Sequence, residues 1–194
     1  MSRNSSCNKP SLPLPLVIHI LGILLLWLPH LLIADQAHAV VTTSITATPD
    51  TGNLSTTITQ TGNLYDITGG TRPDGGTNLF HSFQSFSVGA GDIANFLNIG
   101  SFDLNGNLLA DGLPTSNILV GVTGVNISNI YGTLQTSDFG SANLFLMNPH
   151  GFLFGPNATV NVGGMVAFTT AYYLRLEGTG GNGIFHADPL KTSM

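Results

Sequence analysis

Asp92, Asp103, Asp111 and Asp138 are the carboxylates whose type suits acid/base chemistry. A sugar-cleaving site needs two such groups converging on one bond, one of them held protonated. Each of these aspartates lies beside turn residues, where a short carboxylate ordinarily takes up backbone N–H groups nearby. The histidines beyond residue 39, His81, His150 and His186, have neither metal-ligand spacing nor cysteine companions. Gly178-Thr179-Gly180-Gly181-Asn182-Gly183 matches a dinucleotide-type glycine pattern. No helical pattern follows it, and the ribose-binding acid such a site requires is missing. No serine elbow and no nucleophilic cysteine is present. The residues therefore predict no catalytic site, no metal site and no cofactor.

Charge narrows the field further. Only 8% of the residues are charged, against roughly 25% in an ordinary globular protein. From Val40 onward the basic residues are Arg72, Arg175 and Lys191, set against nine acidic ones. Such a balance excludes the electrostatic footprint of a nucleic-acid binder. It also leaves too few cations for a groove that holds a polyanionic sugar. Arg72 stands beside Asp74 and reads as half of a solvated loop pair. Tyr172 and Tyr173 have the faces to stack on sugars, although packing at the core or rim is the reading adopted for them.

The elements that would position these groups are short. In Asn143 to Phe168, apolar triplets alternate with turns: Leu144–Leu146, Asn148-Pro149-His150-Gly151, Phe152–Phe154, Gly155-Pro156-Asn157, Val160–Val162, Gly163-Gly164, Val166–Phe168. A triplet makes a strand and is too short for a helix. Asn, Pro and Gly supply the fixed or positive φ of tight corners. Strands and corners in such close succession predict a chain that winds coil upon coil, a β-solenoid.

Residues 1–39 carry the marks of a signal peptide. Arg3 and Lys9 precede an apolar run from Leu16 to Leu28, and Ala37-His38-Ala39 is a small-x-small cleavage signal ending before Val40. The only cysteine, Cys7, falls inside this leader. The remaining chain thus forms no disulfide in an oxidising compartment.

Beyond it, Ser44–Ala47 and Thr56–Thr59 read as strands with one apolar face. Thr51-Gly52-Asn53-Leu54 recurs as Thr61-Gly62-Asn63-Leu64, which fits two turns of a coil, a terminal cap or a hairpin. Gly69–Gly76 is a loop. Asn78–Val88 reads as a strand, with Phe80, Phe83 and Phe86 spaced for a helix face or a bulged strand packed inward. Ile93–Leu97, Ile99–Leu104, Asn117–Gly124 and Asn129–Leu134 read as further strands. The Asn-Ile pairs at 117 and 129, and the equal intervals between Ile130, Phe145 and Val160, suit coils with corners of unequal length. Ala171–Leu176 is strand or a turn of helix, and Ile184–Ala187 is strand.

Three motifs carry a resemblance: Asn78-Leu79-Phe80-His81-Ser82-Phe83 with Phe86-Ser87-Val88; Ser128-Asn129-Ile130-Tyr131-Gly132; and Asn143-Leu144-Phe145 through Asn148-Pro149-His150-Gly151 to Gly155-Pro156-Asn157-Ala158. With them the chain resembles the N-terminal secretion domain of filamentous haemagglutinin-like exoproteins, the TpsA proteins of two-partner secretion, and the stretch GGTRPDGGTNLFHSF from Gly69 to Phe83 resembles their cyanobacterial branch. The likeness runs from about Val40 to near residue 194. It implies a right-handed parallel β-helix with an N-terminal cap. The implied partner is an outer-membrane transporter of the TpsB type, acting through periplasmic POTRA modules and a barrel. No cofactor is implied. The recognition turn carried over is Asn148, Pro149, His150 and Gly151, with Gly155, Pro156 and Asn157 as structural corners. His150 stands where the family has asparagine, so an amide's paired donor and acceptor give way to a ring with one hydrogen bond to offer. A copy of the family's Asn-Pro-Asn-Leu motif is absent.

The expected organisation is a signal peptide at 1–39 and a secretion domain at 40–194, the latter expected to be incomplete at its C-terminal end. The expected destination is the cell surface or medium, reached through the periplasm after cleavage between Ala39 and Val40. A host-surface or glycan ligand would be bound through a region further downstream. The competing reading is a carbohydrate-binding or polysaccharide-degrading β-helix.

Overall fold

The structure is a computed structural model that describes residues 40–176 and 183–190. The proposed leader 1–39 with Cys7, most of the 178–183 glycine pattern and Lys191 lie outside the described residues. Every described residue belongs to one compact unit, Ala39–Met194.

Two five-stranded sheets and a narrow third face form the walls of a coil. The front sheet runs β1 (Ser44–Ala47), β4 (Asn78–Ser87), β6 (Asn117–Val122), β9 (Asn143–Met147) and β12 (Val166–Thr169). The back sheet runs β2 (Thr56–Thr61), β3 (Leu64–Gly69), β5 (Ile93–Leu97), β8 (Thr133–Ser137) and β11 (Thr159–Asn161). The third face stacks Val88, β7 (Ser128–Ile130) and β10 (Phe152–Phe154) in parallel. The chain passes front, third face, back, and then climbs to the next rung. Apart from the terminal strands β1 and β2, every pairing in these walls is parallel. This is a parallel β-helix, as the sequence predicts, and each strand predicted between Asn143 and Phe168 lies in a wall.

Register is set by stacking like on like. Inside the coil, Leu79, Ile118 and Leu144 lie one above another, as do His81, Val120 and Leu146. At the head of the front strands the Asn117 amide donates to Asn78 Oδ1 at 2.9 Å, and Asn143 donates to Asn117 Oδ1 at 3.0 Å. The ladder ends where Met165 N donates to Asn143 Oδ1 at 2.9 Å. These sequence separations, 39, 26 and 22 residues, are the true rung lengths. The Asn-Ile pairs at 117 and 129 instead sit on two faces of one rung, and Ile130, Phe145 and Val160 occupy three different faces. Their regular spacing thus measures travel around a coil, not between coils.

The aromatic spacing in β4 has a local cause. Alternation sends Leu79, His81 and Phe83 inward. Pairing with β1 then shifts, Thr46 opposing Ser85 and Ala47 opposing Phe83, so Gln84 bulges out and Phe86 turns inward again. Phe83, Phe86 and Phe96 pack within 5.1–6.3 Å of one another in the first rung. Phe80 faces the other way. It meets Phe185 edge-on at 4.9 Å, in a small outer cluster with Leu119, Met147 and Ala187. Phe185 belongs to β14 (Gly183–His186), antiparallel to β13 (Tyr173–Leu176) and outside the coil.

β1 and β2 cap the N-terminal edge by pairing antiparallel to β4 and β3. The Thr-Gly-Asn-Leu echo is not two rungs. Its first copy belongs to a 3-10 turn at Asp50–Asn53, and its second closes the β2–β3 hairpin. The segment Ile99–Leu104 is not a strand either. It belongs to a long loop between β5 and β6, where Phe102 makes only isolated bridges to Thr71 and Leu108.

Arg72 overturns its expected role most clearly. It is wholly buried, not a solvated partner of Asp74. Its guanidinium donates to Ser101 Oγ (3.1 Å), Asn98 Oδ1 (3.0 Å), Thr115 Oγ1 (2.7 Å) and the carbonyls of Gly76 and Pro114 (3.3 and 3.5 Å). All are neutral oxygens, and burial pushes its pKa below the usual arginine value. The cation staples both ends of the long loop to the cap. Arg72→Met is expected to lower the unfolding free energy by at least about 3 kcal/mol, because several buried acceptors lose their donors together. Urea unfolding measures this; a midpoint equal to wild type would contradict the role.

Candidate functional site

The corner Asn148–Gly151 joins β9 to β10 and so turns the chain from the front sheet to the third face. Pro149 occupies the position where its ring pre-sets φ, and Gly151 N closes the turn on Asn148 O at 3.0 Å. His150 is not among the residues with positive φ, as a type I turn requires, whereas Gly151 adopts φ +100. A side chain at Gly151 would be strained there. Its carbonyl accepts from Ser128 N at 2.9 Å, which stacks this corner on the rung below.

Asn148 is wholly buried. Its amide nitrogen donates to Asn126 O at 3.1 Å and Ser128 Oγ at 2.9 Å. Its Oδ1 accepts from His150 N at 2.9 Å. Both donors and the acceptor are thus engaged, and the side chain locks the corner to the rung below. Backbone Asn148 N continues the front-sheet ladder to Thr169 O at 3.0 Å.

The remaining turn residues do different work. Pro149 is half-buried and His150 is exposed. What the turn takes from position 150 is its backbone N–H. Around it lie exposed groups that sequence spacing did not single out: Val125, Asn126 and Ile127 in the loop that Asn148 grips. The signal that points to them is the carbonyl of Asn126, which only the folded chain brings to residue 148.

Gly155, Pro156 and Asn157 make the next corner, between β10 and β11. Gly155 N donates to Ile130 O at 2.8 Å, and Ala158 N closes the turn on Gly155 O at 3.2 Å. A Cβ at Gly155 would overlap the Tyr131 ring stacked beneath it. Pro156 and Asn157 are exposed.

The candidate acid/base groups serve loops and corners. Asp103 accepts from Asn107 Nδ2, Asn107 N and Asn105 N, each at 2.8 Å. The Asn107 side chain, foremost, holds its carboxyl below the usual range. That is the opposite of what a general acid needs. Asp111 Oδ1 accepts from Gly100 N at 2.8 Å, and Asp92 takes the Thr43 hydroxyl 49 residues away. Asp138 is exposed and adopts positive φ. Among the described residues no group of three or more His, Cys, Asp or Glu is placed to hold a metal ion. Tyr172 and Tyr173 are exposed rather than packed in a core. A cleft of about 600 Å³ lies between the 73–78 loop, Leu104 and β14; among the described residues its ionisable groups are Asp74 and His186, not a carboxylate pair.

The family model described as "TPS secretion domain" matches residues 43–192. Among solved structures, the chain is similar to one titled "Crystal structure of filamentous hemagglutinin secretion domain", with a TM-score of 0.50 and 21% identity. That match covers 70% of this chain and 44% of the other, so this chain spans less than half the length of the solved one. At this identity the likeness shows the fold. No curated protein matches the sequence.

The two halves of the corner are separable. Asn148→Ala should cost about 2–4 kcal/mol, since it removes three hydrogen bonds at once and strands the buried Ser128 hydroxyl. His150→Ala should change stability by no more than about 0.5 kcal/mol. Denaturant unfolding of both variants checks the pair of values; equal losses would undo the division of labour.

Proposed function

This chain belongs to the TPS secretion domain family, and from that premise we propose that its β-helix is recognised in the periplasm by an outer-membrane transporter of the TpsB type. The domain is the export-directing part of a secreted, filamentous haemagglutinin-like exoprotein. Recognition runs through the transporter's POTRA modules, and passage through its barrel. The contact on this chain is the corner Asn148-Pro149-His150-Gly151. Asn148 and Gly151 hold its shape, while Pro149 and His150 present it together with Val125–Ile127.

The observation that supports this reading is the split within the corner. A buried amide with all its partners fixes the backbone of a residue whose side chain is exposed. A groove that merely needed to bend would gain nothing from displaying that ring. Export also suits the composition. A chain without disulfides beyond its leader, and with few charges, threads a pore unfolded, and rung-by-rung stacking on the far side favours forward movement. Residues 1–39 serve as the signal peptide, removed before Val40. The domain works without catalysis, in keeping with the loop duties of its aspartates. Any host-surface or glycan ligand is bound by a region beyond this domain.

The test is secretion from cells with and without a co-expressed TpsB-type transporter. Secreted protein should start at Val40 by mass spectrometry and should require the transporter. The double variant Pro149→Ala/His150→Ala should fall at least about tenfold in secretion while its unfolding midpoint changes little. Undiminished secretion of that folded variant would remove the corner from the recognition surface. Transporter-independent secretion would remove the whole reading.

A further inference from the structure

We propose that His81 is a proton-sensitive latch between the N-terminal cap and the first rung, whose protonation is coupled to release of the cap, so that acid favours the open chain. The inference concerns the folding equilibrium and stands apart from recognition at the Asn148–Gly151 corner.

His81 lies in β4 with its side chain directed into the coil, and it is wholly buried. Its Nδ1 is 3.2 Å from Thr56 Oγ1. That hydroxyl already accepts from Ser82 N at 3.1 Å, so its own hydrogen is available to Nδ1. Whichever tautomer the neutral ring takes, Nε2 has no hydrogen-bond partner. An imidazolium would need acceptors for both nitrogens. Thr56 Oγ1 can serve Nδ1, but among the described residues no acceptor faces Nε2. Phe96 lies edge-on at 5.4 Å and Phe83 is stacked at 6.3 Å. Gly70 presses so closely that a Cβ there would sit 2.8 Å from the ring.

What faces the ring from each packed element is uncharged: Thr56 from β2, the Gly70 corner, Phe96 from β5 and, by register, Val120 from β6. The charge that bears on it is the buried guanidinium of Arg72, which opposes a second cation. Burial first, and Arg72 second, push the His81 pKa down to about 3.

The sign follows from linkage. In the open chain the imidazole takes up a proton near pH 6.5; in the closed chain it stays neutral down to about pH 3. The stabilisation is therefore complete above about pH 6.5 and is lost as the pH falls from there toward 3. Each pH unit in that window multiplies the open-to-closed ratio by about ten. On the N-terminal side the ring is covered by the cap strand β2 and the 70–72 corner, so lifting the cap exposes His81 to water while the rungs above stay stacked. Opening should thus begin at this end.

The experiment is hydrogen exchange and urea unfolding of the purified protein between pH 6.5 and 4.5, for wild type, His81→Gln and His81→Leu. In wild type the open-to-closed ratio read at Thr71 and Ser82 should rise about 50-fold over this range. Amides of the third rung such as Leu144 should change far less. Both variants should show less than about a threefold rise at Thr71 and Ser82. Equal pH dependence in wild type and variants would overturn the proposal. Should both variants fail to fold, the wild type decides alone. A His81 ring that titrates near pH 6.5 in the folded protein, or an absent pH effect at Thr71 and Ser82, refutes the latch.

Discussion

Everything in this molecule rests on in-register parallel stacking. A parallel wall holds only if each rung returns the chain to the same place above the last, so that backbone groups meet and like side chains superpose. The amide column of Asn78, Asn117 and Asn143 enforces that return. Asn117 and Asn143 each donate to the rung below and accept from the rung above, and a one-residue slip would break the column and turn the apolar interior outward. A second polar run crosses the back sheet, where Asn95 donates to Asp66 at 2.7 Å and accepts from Gln135 at 3.2 Å. Because each rung touches only its neighbours, errors in register would propagate upward. The cap therefore matters more than its small size suggests.

The cap is also where polar groups are buried. Arg72 and His81 solve that problem in opposite ways. The arginine is surrounded by oxygens, and the loop between β5 and β6 supplies most of them through Asn98, Ser101, Pro114 and Thr115. Asn98 in turn donates to Leu113 O and Asp138 O, which ties that loop to the next rung. The histidine has one polar contact and stays neutral. A full set of partners makes one group a permanent staple, and a missing partner makes the other responsive to protons.

At the corner before β10, shape and display belong to different side chains. Asn148 looks inward and is used up by the fold, while His150 looks outward and is spared by it. This arrangement lets the displayed residue vary without a folding penalty. It also means that loss of export on changing Asn148 would not by itself identify a contact, since the corner would lose its shape first.

Local pattern alone was enough to specify the strands at Leu144–Leu146 and Phe152–Phe154, the Pro–Gly corners between them, and the bulged strand carrying Phe83 and Phe86. Those features depend on backbone preference and side-chain alternation over a few residues, so neighbours in the chain decide them. Phe80, the first of the three spaced phenylalanines, was not legible as an outer contact, because its partner Phe185 lies over a hundred residues away. The rung length was hidden for a similar reason: the 98–116 loop stretches the first interval, so no fixed period survives in the sequence. Arg72 looked like a surface residue because Asp74, close by in the chain, offers a solvated partner, whereas its actual acceptors converge only when the coil closes. Chain neighbours thus set where this polypeptide bends and extends. Which strand lies on which, and which polar group is sealed from water, came only from tertiary packing, because stacking energy is shared between residues that the chain itself keeps far apart.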